Sequence, residues 1–354
     1  FRLSFTKPVR FGCRLFFNGM MNTLNPAKNP AFDDCQAQFW LALRDDKVVG
    51  RIAAIVNKKF VEQWGEKTGR FAWIDFVDDP EVVQALLHTA ERWVVEQGMS
   101  GIIGPMGFTN FDTSGTLVQG FDELSTFGAT YNYPYYASHF ERNGYTKASD
   151  WVEYQIPIPE EVPEKVERIA RIVAKRSDLK LFFVDSAKDL LPYAHQVFDI
   201  MNETYTEIYG YVTLSEKQID KYINDYFSFV NPAFIPLVVN NNGDVVAFAI
   251  TIPSLAHAMQ RAHGRLFPFG FWHLYRAMKK PQIIDFMLTA VRPEYQNKGV
   301  NAMIMCELHK VFLQKKIKYV ETNWENEANT KIQAQWRYYE RRQHKRRRVY
   351  RKDF

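Results

Sequence analysis

One order of elements runs through this chain twice, and that repetition restricts the possible folds more than any other feature. In the first pass, QFWLAL and VVGRIAAIV read as strands around the turn-prone RDDK, and FAWIDFV reads as a third strand. A helix then opens at DDPE, where Asp78 or Asp79 can cap it and Pro80 suits its first turn. Val83, Leu86, Leu87, Ala90 and Val94 give that helix one apolar face, Gly98 ends it, and SGIIGPMGF resumes as a strand. YYASHFERN reads as a helix and DWVEYQI as a last strand. The second pass begins with LKLFFVD and two helices, then repeats the order: FIPLVV and VVAFAITI around NNNGD, a strand from Ile283, a helix, a strand to Asn323, and an aromatic helix before the C-terminal stretch. Pro157, Pro159 and Pro163 separate the passes, and a charged helix over Glu164 to Arg176 bridges them. The expected fold class is α/β in the α+β sense: two tandem domains, each a twisted mixed sheet flanked by helices, with boundaries at 1–157, a linker helix at 158–179, and 180–354.

The copies differ at one place. Pro80-Glu81 corresponds to Pro293-Glu294, and the helix ends correspond at Gly98 and Lys316, yet the second copy holds about five more residues between these points. YQNKG sits at the excess. A glycine between an apolar strand and a helix leaves unpaired backbone N–H groups at the helix's positive end, where they can hold a phosphate, and Lys298 adds charge. A polar turn of this kind is, by itself, usually only a connection.

The net charge of +5 suggests a nucleic-acid partner until it is located. Eight Lys or Arg and one Asp lie between Arg341 and Phe354, so the rest of the chain is slightly acidic. The basic stretch 341–352 leaves nucleic acid open as a minority partner, and its alternation in RRRVYRK equally suits a last strand. Cys13, Cys35 and Cys306 have neither disulfide nor metal-ligand spacing, so a reducing cytoplasm is expected. His257, His263 and His273 are not spaced as a metal site, and no metal is expected. No apolar run reaches the roughly 18 residues of a membrane span.

The strand followed by VRPEYQNKGVNAM and an amphipathic helix resembles motif A of the GNAT acyltransferase superfamily, whose loop reads Gln or Arg, two residues, Gly, one residue, Gly or Ala. Gln296 and Gly299 match, and Asn301 stands at the small position. TLNPAKNPAFDD, VVGRIAAIVN, DDPEVVQALL, GPMGF with TNFDTSG, YNYPYYASHFERNGYTKASD and GRLFPFG extend the resemblance to a bacterial tandem-GNAT group over nearly the whole chain. The resemblance implies acetyl-CoA or another acyl-CoA as co-substrate, lying between two splayed strands. Its binding residues would be Val291, Gln296, Asn297, Lys298, Gly299, Val300 and Asn301. It implies a small-molecule or peptide amine as acceptor.

Such chemistry needs a base for the amine and an acid, often Tyr, for the leaving thiolate. Asp285 and Glu321, on the splayed strands, are the base candidates; a salt bridge is their plainer role. The family's Tyr, seven residues after an Asn, falls on Trp336 when counted from Asn329, so Tyr338 and Tyr339 are the nearest alternatives, or else core aromatics. In the first copy, Asn110, Asp112, Tyr131, Asn132, Tyr135 and Tyr136 would shape the acceptor pocket, or form a hydrogen-bonded aromatic core. A non-catalytic ligand sensor is the rival function, supported by Asn301 and Trp336. The aromatic insertion at 253–281 reads as a lid, a dimer contact or a membrane-surface segment, with packing inside the protein as the default.

Overall fold

The computed structural model describes residues 22–126, 128–226, 230–262 and 267–354; Cys13 and His263 lie outside them. In the first copy, strands β1 (Cys35–Arg44) and β2 (Lys47–Asn57) precede helix α1 (Lys58–Trp64) and strand β3 (Thr68–Phe76). Helix α2 (Pro80–Glu96), strands β4 (Gly101–Gly104) and β5 (Thr116–Gln119), helix α3 (Tyr135–Arg142) and strand β6 (Thr146–Pro157) complete it. Helix α4 (Glu164–Arg176) connects to the second copy, which opens with β7 (Lys180–Phe182), α5 (Leu191–Thr204) and α6 (Glu216–Tyr226). It continues with β8 (Leu237–Val239), β9 (Val245–Pro253), α7 (Ala256–Ala262), α8 (Gly270–Lys279) and β10 (Ile283–Val291). Helix α9 (Val300–Gln314), strands β11 (Tyr319–Thr322) and β12 (Glu325–Asn326), helix α10 (Thr330–Ala334) and strand β13 (Arg342–Asp353) follow.

All the main strands join one mixed sheet in the order β1-β2-β3-β4-β13-β6-β11-β10-β9-β8-β7. Exchanging each first-copy strand for its counterpart (β1 for β8, β2 for β9, β3 for β10, β4 for β11, β6 for β13) returns the same order reversed, with β7 as an addition at one edge. The duplication is therefore related by a local twofold through the antiparallel β6–β13 pair. Each copy's last strand lies beside the other copy's sheet: β13 pairs with β4, and β6 pairs with β11.

The sequence explains why β13 can lie there. Its cations meet acids on β6 across the ladder, with Lys345 opposite Glu153 and Arg348 opposite Asp150 in register. Lys345 Nζ is 3.0 Å from Glu153 Oε2, and Arg347 Nε donates to Glu153 Oε1 at 3.2 Å. Arg346 and Arg348 both bind Asp150. Arg342, Arg351 and Lys352 pair with Glu123, Glu66 and Glu91, and the Arg341 guanidinium lies over the Tyr154 ring. The basic stretch is thus a central strand whose charges are matched within the protein.

Apolar faces fill both sides of the sheet. In the first copy Val83, Leu86, Leu87, Ala90 and Val94 of α2 pack on Ile52, Ala54, Phe71 and Ile102. In the second, α9 and α4 pack on β9, β10 and β11 through Val173, Met303, Ile304, Leu308, Ala249, Ile284 and Val320. On the opposite face, α5 covers β8 to β10 through Val197, Ile200, Met201, Leu237 and Phe248.

Candidate functional site

The parallel pairing of β10 with β11 covers only Ile283 to Phe286 against Tyr319 to Thr322. Beyond it the strands diverge. β10 continues to Val291 against β9, across a bulge between Phe286 and Leu288, while the other strand passes through Asn323 and Trp324 into β12. Asn323 N–H donates to Phe286 O at 2.9 Å at the fork. A cavity of about 1250 Å³ occupies this divergence and is walled by both copies.

At one end of the cavity lies the loop before α9. Pro293–Tyr295 forms a short 3-10 turn, Gln296 ties it to the strand by donating to Val291 O at 3.0 Å, and Asn297 has a left-handed φ of 60° that Asn tolerates. Gly299, at φ 82°, is the residue before α9, and no side chain caps the helix. Its missing Cβ would lie 2.8 Å from Ile169 Cγ2 and Val173 Cγ2 of α4, so glycine is required here by helix packing as well as by φ. Val291, Gln296, Asn297, Lys298, Gly299, Val300 and Asn301 all line the cavity.

The first copy has the same fork, since β3 meets β4 only over Thr68 to Arg70. There, however, α2 starts directly at Pro80, and Asp79 Oδ1 accepts from Glu81 N–H at 2.9 Å and from Val82 N–H at 3.4 Å. Arg44 is paired with that same carboxylate. The helix's positive end is thus satisfied by its own chain. The fork itself is filled by Phe71, Phe76, Tyr136 and Phe140, with Phe76 and Tyr136 stacked at 4.1 Å.

Five polar atoms on the second copy's cavity residues and on Asn110 are buried without a hydrogen-bond partner: Asn110 Oδ1, Asn301 Oδ1, Asn323 Oδ1, Glu325 Oε2 and Gln335 Nε2. Buried polar groups are nearly always bonded, so these atoms are candidate contacts for water or for a polar ligand. Glu325 is the one ionisable residue among them. Trp336, fully buried and edge-on to Phe286 at 5.0 Å, donates its indole N–H to Glu325 Oε1 at 2.7 Å, leaving Oε2 free. Burial pushes the Glu325 carboxyl up to about 7, although the indole N–H opposes the shift. Sequence reasoning missed this residue; the signal was Trp336 itself, an indole donor where a tyrosine was sought.

The other anticipated residues have clear places. Asp285 and Glu321 face each other in the β10–β11 register but are not cavity walls. Glu321 lies 3.6 Å from Lys345, within the ionic cluster around Glu153. Burial and then the Glu321 charge push Asp285 up to about 7, and burial raises Glu321 against the pull of Lys345. Tyr338 lines the cavity with Arg337 over its ring, while Tyr339 is buried in the core beside His309.

In the first copy only Asn110 of the six lines the cavity. Asp112 accepts from Thr109 N–H at 3.0 Å, and burial pushes its carboxyl up to about 6. Tyr131 donates to Phe121 O, Tyr135 to Phe76 O and Tyr136 to Asp75, and Asn132 brackets Leu117 through both its N–H and its carbonyl. Among the described residues no cluster of His, Cys, Asp or Glu could hold a metal ion.

No protein-family model matches the chain. It is 29% identical over 315 residues to Protein YghO of Escherichia coli, covering 86% of this chain and 79% of that protein. It is 26% identical over 262 residues to the Bacterial ceramide synthase of Caulobacter vibrioides, covering 73% of this chain and 67% of that protein. Among solved structures, a tandem GNAT protein from the clavulanic acid biosynthesis pathway superposes with a TM-score of 0.51 at 11% identity, covering 94% of this chain and 86% of that one. The architecture is that of two GNAT-like domains in tandem, as the repeated order of elements and the family resemblance implied.

Proposed function

We propose that this tandem GNAT fold works as an N-acyltransferase, moving an acyl group from acyl-CoA to a primary amine that carries a long apolar chain. The observation that carries the reading is the set of unpartnered polar atoms inside the β10–β11 fork, at the foot of an uncapped helix, in the copy that holds the extra loop. Residues 180–354 form the acyl-CoA-binding copy, 158–179 the linker, and 1–157 a copy without the phosphate loop that closes the acceptor side through Asn110 and Phe111.

The residues present fit acyl-CoA. The N–H groups at the start of α9 and the Lys298 ammonium suit its pyrophosphate. Bound there, acyl-CoA supplies an acyl group activated as a thioester. The chain's own part is to orient the amine and remove its proton as the nitrogen becomes an amide. Glu325 Oε2 suits this, because a carboxyl near neutrality is populated as base and can also return a proton. Asn323, Asn301 and Gln335 offer hydrogen bonds to the amide and carbonyl groups of the reactants.

Two facts support the acceptor class. A ceramide is the amide of a long-chain amino alcohol, so the Caulobacter relative's name denotes amide formation on a lipid amine. The cavity lining includes Phe111, Val197, Phe198, Met201, Ile250 and Leu288, an apolar wall suited to an alkyl chain. The second reading is a non-catalytic ligand-binding protein, favoured by Trp336 at the position where the motif would place a tyrosine acid.

Calorimetry with acetyl-CoA, a long-chain acyl-CoA and free CoA tests the site. Lys298→Glu is expected to weaken binding by about tenfold or more, as the loss of one charge-assisted contact. Absence of binding at high micromolar concentration removes both readings. Binding without thiol release across a panel of long-chain amines selects the non-catalytic one.

A further inference from the structure

The α7–α8 hairpin, inserted between β9 and β10, turns its aromatic side chains outward. Phe267, Phe269, Phe271, Trp272 and Tyr275 are 79%, 72%, 51%, 55% and 53% exposed, and they lie within nine positions. The buried residue of α8 is Gly270. From Ala256 to Ile284 the sequence holds five cations, Arg261, Arg265, Arg276, Lys279 and Lys280, and no Asp or Glu. Arg276, Lys279 and Lys280 take part in no ion pair among the described residues. Along β13, by contrast, Lys345, Arg346 and Arg348 are each matched with an acid.

We propose that this hairpin is an interfacial anchor that seats the protein on an anionic lipid surface. Trp, Tyr and Phe beside Lys and Arg are the side chains that settle at the boundary between headgroups and acyl chains, while unpaired cations add attraction to anionic headgroups. The charge decides between occupants. A second copy would set one acid-free cationic hairpin against another, whereas an anionic bilayer complements it. The hairpin leaves β9 four residues after Ile252, a cavity wall, and its own described residues do not line the cavity. Surface docking does not depend on the acyl-transfer reading, although it would bring the cavity to the phase that holds a long-chain amine.

Co-sedimentation of the full chain with vesicles tests the anchor, using phosphatidylcholine alone and phosphatidylcholine mixed with phosphatidylglycerol. The expected result is binding to the anionic vesicles that weakens with salt. Replacing Arg276, Lys279 and Lys280 by Gln should reduce it about a hundredfold, since each cation near such a surface is worth about fivefold. Phe269→Ser with Trp272→Ser should abolish pelleting while leaving the thermal melt and acyl-CoA calorimetry unchanged. Failure of the native chain to pellet with anionic vesicles overturns the proposal. So does wild-type vesicle binding by the serine variant, or a native dimer that this variant converts to monomer with no lipid binding by either.

Discussion

Replacing Glu325 by Gln separates its chemical role from its structural one. Gln keeps an oxygen to accept the Trp336 indole N–H, now 2.7 Å from Glu325 Oε1, but it carries no charge and cannot take a proton. The carboxyl stands near 7 in the folded protein against an ordinary 4.5, so the folded state holds a proton that the unfolded chain releases between those values. With fewer protons bound to the unfolded state, stability falls as pH rises through that window. The wild-type carboxylate therefore costs up to about 3 kcal/mol at about pH 8, and less than about 1 kcal/mol near pH 5. Gln removes that cost. With unfolding entropy of about 2.1 cal/mol/K per residue, the variant should melt about 4 °C higher at pH 8 and nearly with the wild type at pH 5. Amide formation should fall by about a hundredfold to ten-thousandfold, the range for a lost general base. Melting curves at the two pH values and a thiol-release assay read both effects. Equal melting at pH 8 would show that burial does not raise the Glu325 carboxyl. Unchanged turnover would remove Glu325 as the base.

Lys345→Met leaves Glu153 with Arg347 but without its nearest ammonium, and should cost about 3 to 5 kcal/mol in denaturant unfolding; an unchanged midpoint would refute the pairing. Burial alone would raise Glu153, but Lys345 and Arg347 hold it at about 2, so its contribution is present above 4.5 and is lost as pH falls from 4.5 toward about 2. In Lys345→Met the Glu153 carboxyl is less depressed, so that acid-dependent loss should shrink. Gly299→Ala meets both the left-handed φ and the 2.8 Å approach to Ile169 and Val173, so it should lower stability by about 1 to 3 kcal/mol; a wild-type melt would show that α4 yields freely.

Much of the fold was legible because its signals are local. The α2 face, the Gly98 stop and the α4 limits at Glu164 and Arg176 follow from apolar spacing, turn residues and flanking prolines. Duplication was legible as a repeated order. The lane each final strand would take was not, because it depends on pairing across some 190 residues, which periodicity does not record. At the site, the loop from Gln296 to Asn301 was visible as extra length. Glu325 was not, since its importance comes from a buried indole eleven residues later and from a fork that local sequence does not describe. The hairpin aromatics show the opposite limit: composition identified them, but the default assignment to an interior fails against their exposure.

The crossed final strands also bear on how the protein is made. While the first copy emerges, the β4 edge is open and β6 has no strand partner, since β6 pairs only with β11, β12 and β13, which are not yet synthesised. A chain that stops between the copies therefore leaves both the β4 edge and β6 without their strand partner. Slow, late closure by distant contacts follows from such a topology.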